Sequence, residues 1–439
     1  MEDITISKFS TQNIESIVAR GLCTGCGTCF AICPNSAICI TLNHKKEIFL
    51  PKVDTTKCTQ CSLCHQVCPG DSVNFIQLAK NDAKQLKQSD NVLLGNYVDC
   101  YVGYSTDCTV RFNSSSGGIV SQLLISALED GLVDGALITR MDKNKPLKPE
   151  PFIACTRQEI LDAAKSKYCP VPVNIALKKI LSTDGKFAYV GLPCHIHGLR
   201  KAQKINEKLR RRIVLTIGVF CSHNDSFGST RYMLQRLKVP PFDVAAINYR
   251  GQGWPGVFNV KRKSGGSVEC SFSDWIRVHE YCFFTPDRCL LCCDHTAELA
   301  DLSVGDSWLP AFYKDHNGTS IFISRNSIGE KFLQLAQGKG QIKCSSITSK
   351  SVVKSQGNVR FKKNGISVRS FIFRTQKKSV PRYDVPLPES ELVEIPRSII
   401  IFVNRLLASK LYSSQNIDRL ISIQLVLKKL YATSTSSVH

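Results

Sequence analysis

The chain has 439 residues, 43% of them hydrophobic and 21% charged, a composition typical of a globular protein of two to four domains. This composition excludes a wholly disordered chain. No apolar run approaches the roughly 18 residues of a membrane-spanning helix. Basic residues outnumber acidic ones by 57 to 36, which gives a formal net charge of +21 and favours anionic partners. The 21 cysteines, with no leading apolar signal segment, predict a cytoplasmic metal-binding protein and not a secreted disulfide scaffold.

The first motif in chain order occurs twice. The spacing C-x2-C-x2-C-x3-C-P is formed by Cys23, Cys26, Cys29 and Cys33 and again by Cys58, Cys61, Cys64 and Cys68. In bacterial two-cluster ferredoxins the fourth cysteine of each run serves the other cluster. We therefore assign one 4Fe–4S cluster to Cys23, Cys26, Cys29 and Cys68, and a second to Cys58, Cys61, Cys64 and Cys33. Zinc ribbons, the alternative, use paired C-x2-C knuckles and not triplets.

The pattern then changes from a polar stretch to alternating strands and helices. We predict a ferredoxin-like α+β domain over residues 1–80, a linker over 81–96 and an α/β core with a mixed or parallel sheet over 97–340. Within the core the pattern predicts a helix over Gly117–Asp130 and strands over Gly135–Thr139, Phe187–Val190 and Ile213–Phe220. Ligands of such sheets lie beyond the carboxyl ends of the strands.

Two of those strand ends carry a third set of cysteines. Cys194 follows one strand, Cys221 ends another, and Cys289 and Cys292 form a C-x2-C pair. Four thiols from three segments could hold a third 4Fe–4S cluster, but a zinc site or unrelated buried thiols would show the same spacing. Cys282 and Cys293 compete as ligands.

Candidate anion-binding residues lie in three segments of the core. Serine hydroxyls and glycine amides precede the predicted helix, and a helix N-terminus attracts phosphate. Two further segments place cations beside aromatic rings, although ordinary turns and exposed patches would look similar. The candidate residues are Arg111, Ser114, Ser115, Ser116, Gly117, Gly118, Lys165, Lys167, Tyr168, Tyr249 and Arg250.

Together these motifs resemble the coenzyme F420 hydrogenase/dehydrogenase beta-subunit family, here with a fused ferredoxin domain. The matching stretches, within about residues 95–340, are Gly117–Val120, Asp134–Ala136, Ser166–Tyr168, Gly191–Cys194, Gly218–Cys221, Cys289–Cys292 and Glu298–Gly305. The resemblance implies FAD in the α/β core and one 4Fe–4S cluster on Cys194, Cys221, Cys289 and Cys292. The chain departs from the family at Arg250–Gly256 and after Gly305, so the identity of the hydride donor stays open.

The resemblance implies an oxidoreductase with FAD and three 4Fe–4S clusters. FAD would take hydride from reduced coenzyme F420, and the clusters would pass single electrons to a partner subunit or ferredoxin. The candidate cations would hold FAD phosphates or the anionic tail of the deazaflavin, which accounts for the basic charge without nucleic acid. Two alternatives remain: a ferredoxin-dependent FAD reductase of an organic substrate that runs in the opposite direction, and a non-enzymatic electron-transfer adaptor.

The C-terminal part loses the resemblance. We expect a basic, proline-containing linker over 341–396 and a helical extension over 397–439, with helices over Ile399–Leu411 and Ile417–Leu430. These helices would pack on the body, or would dock a partner subunit or an anionic membrane surface.

Overall fold

The structure, a computed structural model, describes residues 13–79, 92–410 and 413–436. The predicted linker over 81–96 therefore lies outside the described residues except for 92–96. Among the described helices, none combines the length and the apolar character needed to cross a bilayer.

The N-terminal segment is a small α+β unit. Its strands β1 and β2 form an antiparallel hairpin in which Ile38 lies opposite Val53. Short helices flank the hairpin. The cysteine-rich loop between α1 and α2 turns sharply at Gly25 and Gly27, whose positive φ favours glycine. The elements are α1 (Ile14–Ala19), α2 (Thr28–Ile32), β1 (Ile38–Asn43), β2 (Ile48–Val53), α3 (Leu63–Gln66), β3 (Ser72–Val73) and α4 (Phe75–Leu78).

The α/β core is built on an eight-stranded mixed sheet with the strand order β14-β4-β13-β12-β8-β7-β5-β6. The four strands β12, β8, β7 and β5 are parallel, and the remaining neighbours pair antiparallel. The sheet strands are β4 (Asp99–Ser105), β5 (Gly135–Met141), β6 (Pro149–Ala154), β7 (Phe187–Gly191), β8 (Ile213–Val219), β12 (Leu302–Asp306), β13 (Ser320–Ser324) and β14 (Ile342–Ile347). The predicted mixed α/β sheet is thereby confirmed.

Helices cover the sheet, and a second, three-stranded antiparallel sheet of the order β11-β10-β9 follows β8 in the chain. The helices of the core are α5 (Cys108–Asn113), α6 (Ile119–Glu129), α7 (Arg157–Asp162), α8 (Leu177–Ser182), α9 (Pro193–Ile205), α10 (Glu207–Arg212), α11 (Phe227–Arg236), α12 (Phe272–Glu280), α13 (Asp287–Leu290) and α14 (Ser327–Gly338). The second sheet consists of β9 (Val244–Asn248), β10 (Val257–Arg262) and β11 (Ser267–Ser271).

The N-terminal unit and the core share one hydrophobic cluster. Val67 and Phe75 from the N-terminal unit pack with Ile196 and Leu199 of α9 and with Tyr189 of β7. All five side chains are 5% exposed or less. The packing holds the cysteine-rich loops against the carboxyl ends of the parallel strands.

The segment expected to be a linker, residues 341–396, contains strand β14 and three helices, which differs from that expectation. These helices are α15 (Ser349–Ser355), α16 (Asn358–Asn364) and α17 (Ile366–Thr375). The segment is not a linker because its cations Lys362, Lys363 and Arg369 are buried and bonded to the core. The chain then pairs β15 (Arg382–Tyr383) with β3 of the N-terminal unit.

The two C-terminal helices are α18 (Glu394–Lys410) and α19 (Ser414–Ser436). They pack on the body of the protein, which was the first of the two arrangements expected for them. The inward face of α18 is partly polar, since Ser398 and Asn404 are fully buried. Its outward face carries large aliphatic side chains, including Ile399, Val403 and Leu406, each about half exposed.

Candidate metal centres and flavin site

The first thiol tetrad comprises the cysteines that the interleaved assignment predicts for one cluster. One small cavity is lined by Cys23, Cys26, Cys29 and Cys68. Two of the sulfurs accept backbone hydrogen bonds, Cys23 from the Gly25 amide at 3.4 Å and Cys68 from the Gly70 amide at 3.3 Å. Burial raises the pKa of the Cys23 thiol to about 12, so a metal must displace this proton when it binds. The buried Thr24 hydroxyl lines the same cavity and has no hydrogen-bond partner among the described residues.

The second tetrad lines a separate cavity of the N-terminal unit. This cavity is lined by Cys33, Cys58, Cys61 and Cys64. The amide of Ala37 donates to the sulfur of Cys33 at 3.3 Å. Burial raises the pKa of Cys64, and the nearby thiols of Cys61 and Cys33 raise it further. Each tetrad therefore draws three cysteines from one run and one from the other, and its four soft donors fit a 4Fe–4S cluster.

The third tetrad lies at the carboxyl ends of β7 and β8. The register of these parallel strands places Gly191 opposite Gly218, so Cys194 and Cys221, each three residues further on, leave the sheet at the same edge. Burial raises the pKa of Cys194 well above its ordinary value, and the thiols of Cys26, Cys221, Cys289 and Cys292 raise it further. The structure thus brings together the four cysteines that the family resemblance implies.

The competing cysteines lie outside this tetrad. Cys293 is fully buried in the hydrophobic cluster that joins the N-terminal unit to the core. Cys282 lies with its sulfur 3.9 Å from the ring nitrogens of His223. Of the adjacent residues Cys292 and Cys293, it is Cys292 whose thiol raises the pKa values of Cys194 and Cys221.

Buried cations surround the tetrads, and the sequence analysis missed them. The Lys362 ammonium donates to the Cys289 carbonyl at 3.0 Å, and Arg288 donates to the carbonyls of Pro69 and Gly70 at 3.0 Å each. Burial alone would lower the pKa of Lys362, but the nearby thiols of Cys292, Cys221 and Cys289 outweigh this effect, and the pKa is raised. No local motif marks these residues, because their partners lie about 70 and 220 residues away in the sequence.

The first and third tetrads are neighbours. After burial, Cys26 is the largest influence on the pKa of Cys194, and both thiols act on the hydroxyl of Tyr189. The two tetrads are close because the loop that contains Gly27 packs against residues 172–175, where the backbone amide of Asn174 donates to the Cys26 carbonyl at 2.9 Å. A Cβ on Gly27 would lie 2.7 Å from the Ile175 side chain and 3.2 Å from the Pro172 carbonyl oxygen.

A cleft of about 270 Å³ opens beside the first tetrad. Cys23 and the neighbouring end of α1 form one part of its wall, and the rest comes from the β1–β2 hairpin, the start of α11, residues 283–288 and α18. Its charged lining is mainly basic, with two carboxylates, and consists of Lys45, Lys46, Arg231, Arg288, Arg405, Glu47 and Asp287. The cleft therefore combines positive charge with access to a thiol tetrad.

The three segments of candidate anion-binding residues converge at one place in the core. The Ser166 amide donates to the Ser115 hydroxyl at 2.8 Å, and a Cβ on Gly251 would lie 2.8 Å from the Lys165 side chain. The amide of Gly253 donates to the Phe112 carbonyl at 3.3 Å. Residues 111–118, 165–168 and 249–256 thus form one surface, which the sequence had left as separate patches.

Several of these candidate side chains are already engaged within the chain. The hydroxyls of Ser114 and Ser116 donate to the carbonyls of Val110 and Thr319, at 2.7 and 3.1 Å. Arg111 pairs with Asp315 at 2.5 Å. Tyr168 is partly buried and packs edge-on against Trp275. Tyr249 and Arg250 are buried: Tyr249 shares a 2.6 Å hydrogen bond with Thr230, and Arg250 pairs with Asp306 at 2.5 Å.

Lys167 is also committed to the backbone. Its ammonium donates to the carbonyls of Ala163, Ala164 and Lys165, and burial lowers its pKa to about 7. Lys165 has no ion pair in the part of the chain that the structure describes. It is therefore the freer of the two predicted cations.

The loop before α6 keeps free backbone donors. Within the described residues, the amides of Ser115, Ser116, Gly117 and Gly118 donate no hydrogen bond. The buried Trp254 indole nitrogen and the Ser307 hydroxyl nearby also lack partners there. Consecutive free amides at a helix N-terminus, with aromatic rings at Trp254 and Trp308, fit a dinucleotide cofactor such as FAD.

A further buried group, of His223, Asp225 and His279, has metal-ligand chemistry but unsuitable geometry. The two imidazole rings stack at 3.9 Å with 23° between their planes. A metal bound in the plane of one ring would therefore lie far out of the plane of the other. His279 instead shares a 2.9 Å hydrogen bond with Asp225, so the group is a hydrogen-bonded cluster.

Comparison with known proteins matches three segments of the chain. Residues 100–178 and 184–350 match the N-terminal and C-terminal parts of the coenzyme F420 hydrogenase/dehydrogenase beta subunit, and together these parts cover more than half of the chain. Residues 22–72 match a 4Fe–4S dicluster domain.

Curated relatives agree with this match. The coenzyme F420 hydrogenase beta subunit of Methanothermobacter thermautotrophicus is 29% identical over 57% of this chain and 84% of its own length. A subunit of the F420H2 dehydrogenase of Methanosarcina mazei is 26% identical over 75% of this chain and 86% of its own length. The coenzyme F420-dependent sulfite reductase of Methanocaldococcus jannaschii is 26% identical over 80% of this chain, which spans about half (51%) of that relative.

The fold has a counterpart among solved structures. A chain of the F420-reducing nickel–iron hydrogenase complex of Methanosarcina barkeri superimposes with a TM-score of 0.52 and 24% identity, over 65% of this chain and 94% of that one. The motifs, the mixed sheet and both halves of the family match therefore agree, and the chain belongs to the coenzyme F420 hydrogenase/dehydrogenase beta-subunit family.

Proposed function

We propose that the protein oxidises reduced coenzyme F420 with bound FAD and passes the electrons singly through three 4Fe–4S clusters to a partner subunit or ferredoxin. The observation that carries this proposal is that the first and third tetrads are neighbours, since Asn174 donates through its backbone amide to the Cys26 carbonyl and through its side chain to the carbonyl of His195, the residue after Cys194, at 2.9 Å each. Three thiol tetrads in one compact chain suit an electron relay better than a binding protein.

The clusters would be held in a fixed order. The third tetrad, on Cys194, Cys221, Cys289 and Cys292, belongs to the α/β core and would exchange electrons with the flavin. The first tetrad, beside Cys194, would follow, and the second would lie furthest from the core. We also propose the predicted limits of the ferredoxin unit (1–80), whereas the flavin core, predicted over 97–340, extends to residue 347 because β14 pairs with β4 at the edge of its sheet.

FAD would be held where the three candidate segments converge. The free amides of residues 115–118 would bind its diphosphate, and Lys165 would supply a nearby positive charge. The bound FAD would supply the exchange between two-electron hydride chemistry and single-electron transfer. Arg111, Lys167 and Arg250 would act indirectly, since each supports backbone or carboxylate groups of this surface.

The direct test is an iron and flavin count on anaerobically prepared protein. Twelve ligand cysteines predict about twelve iron atoms, with one FAD, per chain. Cys194→Ser should lose about four iron atoms and retain the two ferredoxin-type clusters. Saturation near eight iron atoms, with no further loss in Cys194→Ser, would remove the third cluster from the proposal.

A second candidate runs in the opposite direction, as a ferredoxin-fed FAD reductase of another substrate. The relative named as a coenzyme F420-dependent sulfite reductase, which aligns with 80% of this chain, favours the first direction, because its name makes coenzyme F420 the electron source. A donor screen separates the two. Bleaching of the flavin by reduced F420 supports the first, whereas flavin reduction only by reduced ferredoxin supports the second. Absence of bound flavin would leave an electron-transfer adaptor.

A further inference from the structure

A chain of buried polar side chains connects β7 to the first tetrad. Tyr189 of β7, Asn174 and Thr28 of α2 are all 1% exposed or less. The Thr28 hydroxyl lies 3.2 Å from the sulfur of Cys26 and 2.7 Å from the Asn174 amide nitrogen. Helix α9 approaches closely enough to enclose Thr28 only because residue 198 is glycine, since a Cβ there would collide with the Thr28 hydroxyl.

The direction of each hydrogen bond follows from its partners. The carbonyl of His195 can only accept, so the Asn174 atom 2.9 Å away is the amide nitrogen. The same nitrogen donates to the Thr28 oxygen, while the Asn174 oxygen accepts from the hydroxyl of Tyr189. Because the Thr28 oxygen already accepts a hydrogen bond, its own proton is free to point at the sulfur of Cys26.

We propose that Thr28, oriented by Asn174 and Tyr189, donates a hydrogen bond to the cluster-ligating sulfur of Cys26 and raises the reduction potential of the first ferredoxin cluster. The inference rests on the proposed function, since it requires a cluster on this tetrad. A hydrogen bond to a ligand sulfur stabilises the added negative charge of the reduced cluster. Thr28 is thus a positioning residue that acts through Cys26.

The location of this bond is functionally relevant. Cys26 lies on the side of the first tetrad next to the core, because Asn174 donates both to the Cys26 carbonyl and to the carbonyl of His195, the residue after Cys194. A raised potential at the first cluster favours transfer of electrons from the core into the ferredoxin unit. In the second tetrad the bond to Cys33 comes from the backbone amide of Ala37, which a side-chain substitution does not remove.

The test is an anaerobic redox titration of the reconstituted full chain, followed by electron paramagnetic resonance. Thr28→Val removes the hydroxyl with little change in shape and should lower the potential of one cluster while the other two keep theirs. Repeating the titration in a Cys58→Ser background, which lacks the second cluster, assigns the shifted signal to the first. Thr28→Ser restores the hydroxyl and should restore the potential.

Two further variants complete the experiment. Tyr189→Phe removes the hydrogen bond to the Asn174 oxygen and should lower the potential of the first cluster by a smaller amount. If Thr28→Val fails to incorporate iron, the Tyr189→Phe titration tests the inference in its place. Thr41→Val, on β1, is the matched control and should leave all three potentials unchanged. Unchanged potentials in a fully iron-loaded Thr28→Val, or equal shifts in Thr28→Ser and Thr28→Val, would overturn the inference. Failure of the wild-type first tetrad to hold iron would instead show in the iron count and would defeat the proposed function as well.

Discussion

Lys362 offers the sharpest test of how the fold sets the properties of the core cluster. Its side chain is 2% exposed on α16, and its ammonium lies 3.0 Å from the carbonyl oxygen of the ligand residue Cys289. Reduction adds one negative charge to the cluster, which a nearby buried cation stabilises. Lys362→Met keeps most of the side-chain volume and removes the charge, so it should lower the potential of the core cluster.

The size of this effect follows from Coulomb's law. With a charge separation of roughly 7 Å and an effective dielectric constant of about 20, the interaction is about 2 kcal/mol. For a one-electron couple, in which a tenfold change in equilibrium constant equals about 59 mV, this corresponds to roughly 100 mV.

The assay is the redox titration described above, on Lys362→Met and on a matched control. Arg360→Met makes the same charge change on the same helix, but the Arg360 side chain is 58% exposed and should shift the potential little. A core-cluster potential that stays unchanged in Lys362→Met, or that falls equally in Arg360→Met, would refute the electrostatic reasoning.

Four further outcomes are expected. Cys58→Ser should spare flavin reduction in stopped flow and reduce electron delivery to an external one-electron acceptor; loss of both would contradict the proposed order. Gly117→Val should lower stability as well as flavin content, both measurable on one preparation, because a Cβ there would lie 2.6 Å from the Gly103 carbonyl oxygen. Ile401→Ser, 4% exposed, should cost about 2–4 kcal/mol of unfolding free energy, whereas Ile400→Ser, 45% exposed, should cost under about 0.5 kcal/mol in the same denaturant titration. Because the pKa of Lys167 is lowered to about 7, the unfolded chain binds more protons than the folded chain between pH 7 and the ordinary lysine pKa. The free energy of unfolding should therefore rise from pH 7 towards 10, by about 1.4 kcal/mol per unit of pKa shift. Lys167→Met should abolish this slope.

The flavin surface shows the limit of sequence reasoning most clearly. The sequence singled out Ser114–Gly118, Lys165 and Arg250 because of their chemistry, but it could not tell which groups were free. The structure commits the hydroxyls of Ser114 and Ser116 to backbone carbonyls and leaves the amides of residues 115–118 without acceptors. FAD binding at this surface stays a prediction.

The cysteine spacings by themselves predicted the two ferredoxin tetrads, because a 4Fe–4S cluster restricts how far apart its ligands can lie in a short loop. The cysteines together with the glycine and serine motifs of the core indicated the family. Short apolar runs likewise predicted the strands that lead to Cys194 and Cys221, since such patterns are local. The tertiary structure alone decided that Cys26 lies near the core tetrad, that Thr28 is enclosed beside Gly198, and that the basic segment after residue 341 folds into helices. These features depend on contacts between residues far apart in the chain. Nothing in the local sequence distinguishes a buried lysine such as Lys362 from an exposed one.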